Sequence, residues 1–346
     1  MEPIIEPVDK ALIKAELNDK VFFHNTSRGG NVIYLVDGQN APNTLREIGR
    51  LREIAYRENG GGTGTSIDVD RFDLDPVYCF KQIVLWDPSS EQILGGYRFC
   101  LCNLSVFDDE GQPHLPSSHL FRFSKRFLGK EFNDTIELGR SFISPEWQAR
   151  VGDDRKSIFA LENLIEAIFM VMHLFQRKYF FGKVTIYPSY PKEALAVLMA
   201  FLEKNNGDYR DRPVATKDPF SIPGYRRLKK LFPSTSYEDN HRILKAKVSE
   251  MGVHLPPLIN TYLNLFPDIR YFGCTINDEF GDVIEFGMSA RFDRVTKDRY
   301  KYFPELAEER YQNLKKEILK SWQKAKRDAK KEAKKEAKRK ESKRKA

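Results

Sequence analysis

Between residues 43 and 58 apolar positions recur at helical spacing. Leu45, Ile48, Leu51 and Ile54 fall on one face, while Arg46, Arg50, Arg52 and Arg57 decorate the remainder. Asn43 or Thr44 stands where such a helix wants its N-cap. Segments 8–17, 157–181, 192–204 and 240–252 read as helices too. Segments 31–36, 78–86, 93–104, 135–143, 183–187 and 283–292 are rich in β-branched and aromatic residues and read as strands. A turn at Asp87-Pro88-Ser89-Ser90 folds 78–86 and 93–104 into an antiparallel hairpin, and Pro145 stops the strand that precedes it. From residue 306 the chain reads as one helix. Its apolar stripe, Tyr311, Leu314, Ile318 and Trp322, gives way to Ala-Lys-Lys-Glu repeats that are helical by propensity and build no core. Helices and strands interleave without a regular βαβ alternation, so the fold class is mixed α/β rather than a doubly wound sheet.

With 346 residues, 41% of them hydrophobic, the chain is long enough for a substantial core. Its net charge of +8 is unevenly spread: residues 315–346 hold 16 Lys or Arg against 5 acidic residues, a net of +11, which leaves the rest at −3. Basicity confined to a tail argues against a nucleic-acid-binding body, which would carry its own basic face. The most apolar helical segment, 157–181, is broken by Glu162, Glu166, His173 and Arg177, so it is not a membrane span. No basic leader with an apolar stretch follows Met1, so no secretory signal is expected. Cys79, Cys100, Cys102 and Cys274 show neither a disulfide framework nor metal-ligand spacing; they read as reduced thiols of a cytoplasmic protein with no metal site. Four parts emerge: an N-terminal arm at 1–45, a core at 46–204, an extension at 205–305 that completes the substrate site, and a basic helical tail at 306–346.

Three charged motifs lie within the core at strand-like runs. They are Asp70-Arg71-Phe72-Asp73, Arg98 behind Gly95-Gly96, and Glu137-Leu138-Gly139-Arg140. This is more charge than an ordinary core buries, which points to a site that must hold ions. Just ahead of them, Gly60-Gly61-Gly62-Thr63-Gly64-Thr65 reads as a mobile loop that gates a substrate. A phosphate cradle is the weaker alternative, because no Lys-Ser/Thr and no helix follow it. His114, His119 and His173 read as surface or core histidines.

Arg52, Asp70-x-x-Asp73, Arg98 and Glu137-x-x-Arg140 resemble, in order and approximate spacing, the charged set of the acyl-homoserine lactone autoinducer synthases, GNAT-like enzymes that draw acyl chains from acyl carrier protein. Leu255-Pro256-Pro257-Leu258, Tyr262-Leu263 and Gly273 are absent from those enzymes and resemble the ornithine lipid synthase (hemolysin-like) group. Arg50-Leu51-Arg52-Glu53-Ile54 with the triple-glycine loop is similar to the glycine lipid N-acyltransferases. The resemblance covers roughly residues 40–295. It implies a largely antiparallel GNAT-like sheet flanked by helices, and transfer of a 3-hydroxylated fatty acyl group from acyl carrier protein to the amine of glycine. Ornithine is the alternative acceptor, and a non-catalytic GNAT-like module recruiting membrane or nucleic acid the alternative class.

Within that resemblance Glu137 is the expected base, directly or through water, or a structural partner of Arg140. Arg140 holds Glu137 ionised or grips the substrate carboxylate. Asp70 and Asp73 receive the ammonium or order a loop, and Arg98 and Arg52 tie the acidic residues together, with Arg52 and Asp73 also fitting a purely structural ion pair. Backbone N–H groups where two central strands splay are expected to hold the oxyanion. The segment 147–156 lacks the glycine spacing of a CoA pyrophosphate loop. Arg150, Arg155 and Lys156 near a helix N-terminus are instead the expected contacts for the single phosphate of phosphopantetheine, so no further cofactor is expected. The basic tail is expected to hold the enzyme peripherally on an anionic membrane through its apolar stripe and lysines.

Overall fold

The computed structural model describes residues 1–148, 155–207, 214–295 and 308–345. Its centre is an eight-stranded sheet in the order β1-β2-β3-β4-β6-β7-β10-β9. These strands are β1 (Phe22–Asn25), β2 (Val32–Val36), β3 (Lys81–Asp87), β4 (Gln92–Leu101), β6 (Thr135–Ile143), β7 (Tyr179–Ile186), β9 (Arg270–Asn277) and β10 (Val283–Arg291). Every neighbouring pair is antiparallel except β6 and β7, which run parallel. Segments 1–45, 46–204 and 205–305 therefore all contribute strands to one sheet. A short β5 (Phe121–Phe123) and β8 (Val214–Thr216) pair apart from it.

Both faces of the sheet are covered, which is why β3 is buried along its whole length and shows no polar alternation. Ile83 and Leu85 join Phe99, Leu101 and Leu138 under α5 (Arg155–Leu174), in a core extended by α6 (Lys192–Asn205). Val84 and Trp86 turn the other way, toward Phe142 and the apolar stripes of α1 (Lys10–Glu16) and α2 (Pro42–Arg57). The N-terminus of α2 is capped from outside the helix: Ala41 is its N-cap residue, and the Asn43 and Thr44 backbone N–H groups donate to the Glu16 carboxylate of α1. The predicted helix 157–181 ends early. Gln176, at φ 53, turns the chain, and Tyr179 onward is strand because it pairs with both β6 and β10. Two strands had no clear pattern of their own. β1 is four residues long, and β9 is recognised through its pairing with β10. The remaining helices are α3 (Arg71–Leu74), α4 (Lys125–Lys130), α7 (Tyr237–Glu250), α8 (Pro257–Leu265) and α9 (Glu309–Lys345).

The tail departs from expectation. The stripe of α9 does not face outward: Tyr311, Ile318 and Trp322 are buried at 1%, 4% and 3% exposure. Tyr311 stands edge-on to Phe23 and its hydroxyl meets His24 Nδ1 at 2.9 Å. Trp322 packs on Phe175, with the Lys81 ammonium 6.0 Å above its ring. An apolar stripe on a helix seeks the nearest apolar surface, and here the body supplies one. The stripe is not a lipid-facing anchor; beyond it Lys324, Arg327, Lys330, Lys331, Lys334 and Lys335 are exposed.

Replacing Trp322 by Ala should therefore cost about 3 kcal/mol of folding stability, as for other buried aromatic truncations. Urea unfolding of the two proteins measures this, and a lipid-facing tryptophan would give no change.

Candidate active site

The charged motifs meet on the α2 side of the sheet. Asp70 caps the one-turn helix α3, its carboxylate accepting from Phe72 and Asp73 N–H, while Asp73 Oδ2 accepts from Asp70 N–H in return. Arg98 projects from β4 and donates to Asp70 Oδ1 at 2.7 Å and Asp73 Oδ2 at 2.9 Å, flanked by the rings of Phe72 and Phe80. Arg52 of α2 reaches the same Asp73 at 3.4 Å and donates to Gln82 Oε1, and the Gln82 amide donates to Asp73 Oδ1. Burial by itself would raise the Asp73 carboxyl, but Arg98 and Arg52 outweigh it and hold it well below the usual carboxylate range. Arg52 and Arg98 are 0% and 1% exposed, and neither lines either of the two clefts described below. Arg52, Asp73 and Arg98 bind one another inside the wall; Asp70 is the member of this set that reaches the surface of a cleft.

Arg140 is directed by its backbone. Alternation along β6 would send it to the α5 face with Leu138, but its φ of 50 breaks the alternation and returns it to the α2 side. There its Nε lies 2.9 Å from Asp68 Oδ2, a second nitrogen 3.6 Å from Asp70 Oδ2, and its guanidinium 4.9 Å from the Phe280 ring centre. Asp68 can approach α2 because Gly49 lies opposite: a Cβ there would sit 2.5 Å from Val69 Cγ2. Burial raises the Asp68 carboxyl against the opposing pull of Arg140 and Arg52. Arg140 is thus the partner of Asp68 and Asp70 and not of Glu137.

The sheet opens beside Arg140. Parallel pairing of β6 with β7 runs from Thr135–Tyr179 to Leu138–Gly182 and stops. Gly182 marks the last close approach, since a Cβ there would meet the Leu138 carbonyl at 2.6 Å. Beyond it β6 keeps its partner β4 and β7 keeps β10, so the two strands turn unpaired edges toward each other. Two clefts meet at this split. One, of about 830 Å³, is largely apolar and is lined by Leu138, Leu164, Val184, Ile186, Leu258 and Tyr262 among others. The Tyr97 and Tyr262 hydroxyls face each other there at 3.3 Å. The second, of about 820 Å³, is lined by charged and polar groups that include Asp70, His119, Lys217, Asn277 and Glu279. Arg140, Lys183 and Phe280 line both. Lys183 lies 3.2 Å from Glu285 Oε1, and burial that would raise Glu285 is outweighed by Lys183, Asn277 and Thr185.

Glu137 lies on β6 as expected but is 3% exposed and lines neither cleft. Its Oε1 accepts from the Ser117 N–H at 3.2 Å and the Ser117 hydroxyl at 2.6 Å, while Oε2 has no hydrogen-bond partner. Burial pushes its pKa up to about 7 against the Ser117 bonds and the Arg98 charge. The glycine loop is no phosphate cradle: the Thr63 and Gly64 N–H groups and the Thr63 hydroxyl all donate to the buried Glu53 carboxylate, which ties the loop down where Thr63 lines the charged cleft. Arg150 lies outside the described residues, and Arg155 and Lys156 open α5, with their side chains outside the description. Sequence reasoning missed Lys183, Asp68, Ser117 and Phe280. Of these, Lys183 had a signal, a cation at the start of an otherwise apolar strand.

Residues 51–155 match the acetyltransferase (GNAT) domain family. The glycine N(alpha)-acyltransferase of Bacteroides thetaiotaomicron is 43% identical over 304 residues, covering 86% of this chain and 88% of its own. That of Phocaeicola vulgatus is 40% identical over 304 residues, covering 86% and 91%. Among solved structures, FeeM, an N-acyl amino acid synthase from uncultured soil microbes, aligns over 78% of this chain and 96% of its own at TM-score 0.40 and 9% identity. With two relatives this similar over most of both chains, the protein belongs to the glycine N(alpha)-acyltransferase family.

Proposed function

We propose that this protein transfers a fatty acyl group, 3-hydroxylated by family analogy, from acyl carrier protein to the amine of glycine, giving the mono-acylated precursor of a glycine lipid. The observation that carries this reading is the junction of an apolar cleft and a charged cleft at Arg140, Lys183 and Phe280. An acyl thioester fits the apolar cleft, and a small zwitterion fits the charged one. Arg140 and Lys183 offer cations to the acceptor carboxylate, and Asp70 offers its exposed oxygen to the ammonium. The amine attacks the thioester carbonyl carbon, the C–N bond forms, and the C–S bond breaks to release the phosphopantetheine thiol. Unpaired backbone N–H groups along the split are suited to the oxyanion. Tyr97 and Tyr262, both pushed up by burial, stay protonated as hydrogen-bond donors beside the leaving sulfur.

The donor is argued from sequence: 147–156 lacks CoA-type glycine spacing, and Arg150, Arg155 and Lys156 supply cations for one phosphate. Purified enzyme should show kcat/KM at least about tenfold higher on an acyl carrier protein thioester than on the same acyl-CoA. Equal efficiency would remove carrier-protein dependence from the reading, and absence of N-acylglycine from either donor would remove the reading itself.

Glu137 is walled off from both clefts, and its part in the reaction runs through the Ser117 loop that it anchors. Its carboxyl holds a proton to about pH 7 in the folded chain and to about 4.5 when unexposed to that environment. The folded state thus binds the extra proton between those values, so stability falls as pH rises through that window, by about 3 kcal/mol in all. Glu137→Gln should abolish this slope, seen as a denaturation midpoint that differs less between pH 5 and pH 8 than in the wild type. Gln retains an oxygen for Ser117 and should keep most of the turnover that Glu137→Ala loses.

Membrane contact falls to the basic end of α9, where Lys324, Arg327, Lys330, Lys331, Lys334 and Lys335 are exposed. Each cation contributes about 1 kcal/mol near an anionic surface. Changing these six to Gln should abolish co-sedimentation with anionic vesicles at low salt, and raised salt should release the wild type. Unchanged pelleting would place the contact elsewhere on the body.

A further inference from the structure

An amino acid arrives as an ammonium, and the amine that attacks a thioester must first lose a proton. Several titratable groups line or border the charged cleft, among them Asp108, Glu110, His114 and His119. Asp70 is engaged by Arg98 and Arg140, and Glu285 is held ionised by Lys183. Glu137 has no face on the cleft, and Glu279 is 76% exposed in its side chain, on the cleft's outer edge.

Of the two histidines, His119 is the one that hydrogen bonds connect to Lys183. It follows Ser117 on the loop that Glu137 anchors, and it lines the charged cleft together with Arg140 and Lys183. Its Nε2 lies 3.3 Å from Asn277 Oδ1 and 3.9 Å from Glu279 Oε2. The Asn277 amide is oriented by chemistry: its Nδ2 donates to Glu285 Oε1 at 3.1 Å, which leaves Oδ1 toward the histidine. A continuous chain therefore runs from His119 through Asn277 and Glu285 to Lys183, whose ammonium lines both clefts.

We propose that His119 is the general base that takes the proton from the acceptor ammonium, an inference that rests on the N-acyl transfer reading above. Asn277 Oδ1 stands ready for the Nε2–H group, with the Glu279 carboxylate 3.9 Å from the same nitrogen to favour an imidazolium. The neutral ring donates there and keeps its lone pair on Nδ1 for the proton. Burial and the Lys183 ammonium lower its pKa, against Asn277 and Glu279, so the ring is neutral at pH 7 and ready to accept. Of the three ammonium protons, one goes to His119 and on to solvent, one ends on the departing sulfur as thiol, and one stays on the amide nitrogen. Glu137 is then a positioning residue, acting on His119 through Ser117.

The test uses the full-length enzyme with acylated carrier protein and glycine. His119→Gln and His119→Asn, checked for an unchanged melting profile, should lose about a hundredfold to ten-thousandfold in kcat with little change in KM for the acyl donor. Their rate should climb with pH where the wild-type rate has levelled off, and added imidazole should restore part of it. Turnover within threefold of wild type, with an unchanged pH profile in either folded variant, would overturn the assignment while leaving N-acyl transfer standing. A wild type that forms no N-acylglycine would overturn both.

Discussion

Asp73 is the charge on which the site depends. It is buried between two guanidinium groups and ties α3 to α2, β4 and β3 through Arg52, Arg98 and Gln82. A carboxylate in that position is tolerable because both arginines reach it and its neighbour's backbone N–H donates to it. Arg98 then carries the coupling outward to Asp70, and Asp70 with Asp68 holds Arg140 at the cleft. Removing any inner member strands the others as unpaired charges in apolar surroundings. The outermost cation is therefore held in place by charges that no substrate touches.

The second constraint is the split between β6 and β7. Parallel strands joined through α5 pair for four residues and then diverge, and each keeps its antiparallel partner on the far side. The opening is thus built into the register and does not depend on a moving loop. It sets an apolar cleft against a charged one, with Arg140 and Lys183 between them. That division matches the two halves of an amide-forming reaction, a lipid thioester and a polar amine.

The extension and the tail are structural partners of this arrangement. β10 supports β7 along its full length, and Glu285 on β10 pairs with Lys183. Tyr262 from α8 faces Tyr97 across the apolar cleft. The tail packs its aromatic residues on Phe23 and Phe175, and the cations from Lys324 to Lys335 that follow include six in solvent.

Much of this was legible in the chain. The helix over 43–58, the strand over 135–143 and the hairpin follow from periodicity and turn chemistry, which are local properties. The charged motifs were visible because so many ions in strand-like sequence have to be buried together. Partners were not legible. Alternation gives no hint that φ at Arg140 is positive, and so none that Arg140 meets Asp68 instead of the face it shares with Leu138. Glu53 and the glycine loop, Glu137 and Ser117, and the stripe of α9 against the body are all contacts that no local periodicity reveals. The sequence by itself determined most of the helices and strands and the charged motifs that had to meet. Only the tertiary structure decided which charge faces which, because pairing depends on strand register, on a single backbone dihedral and on the surface that another part of the chain presents.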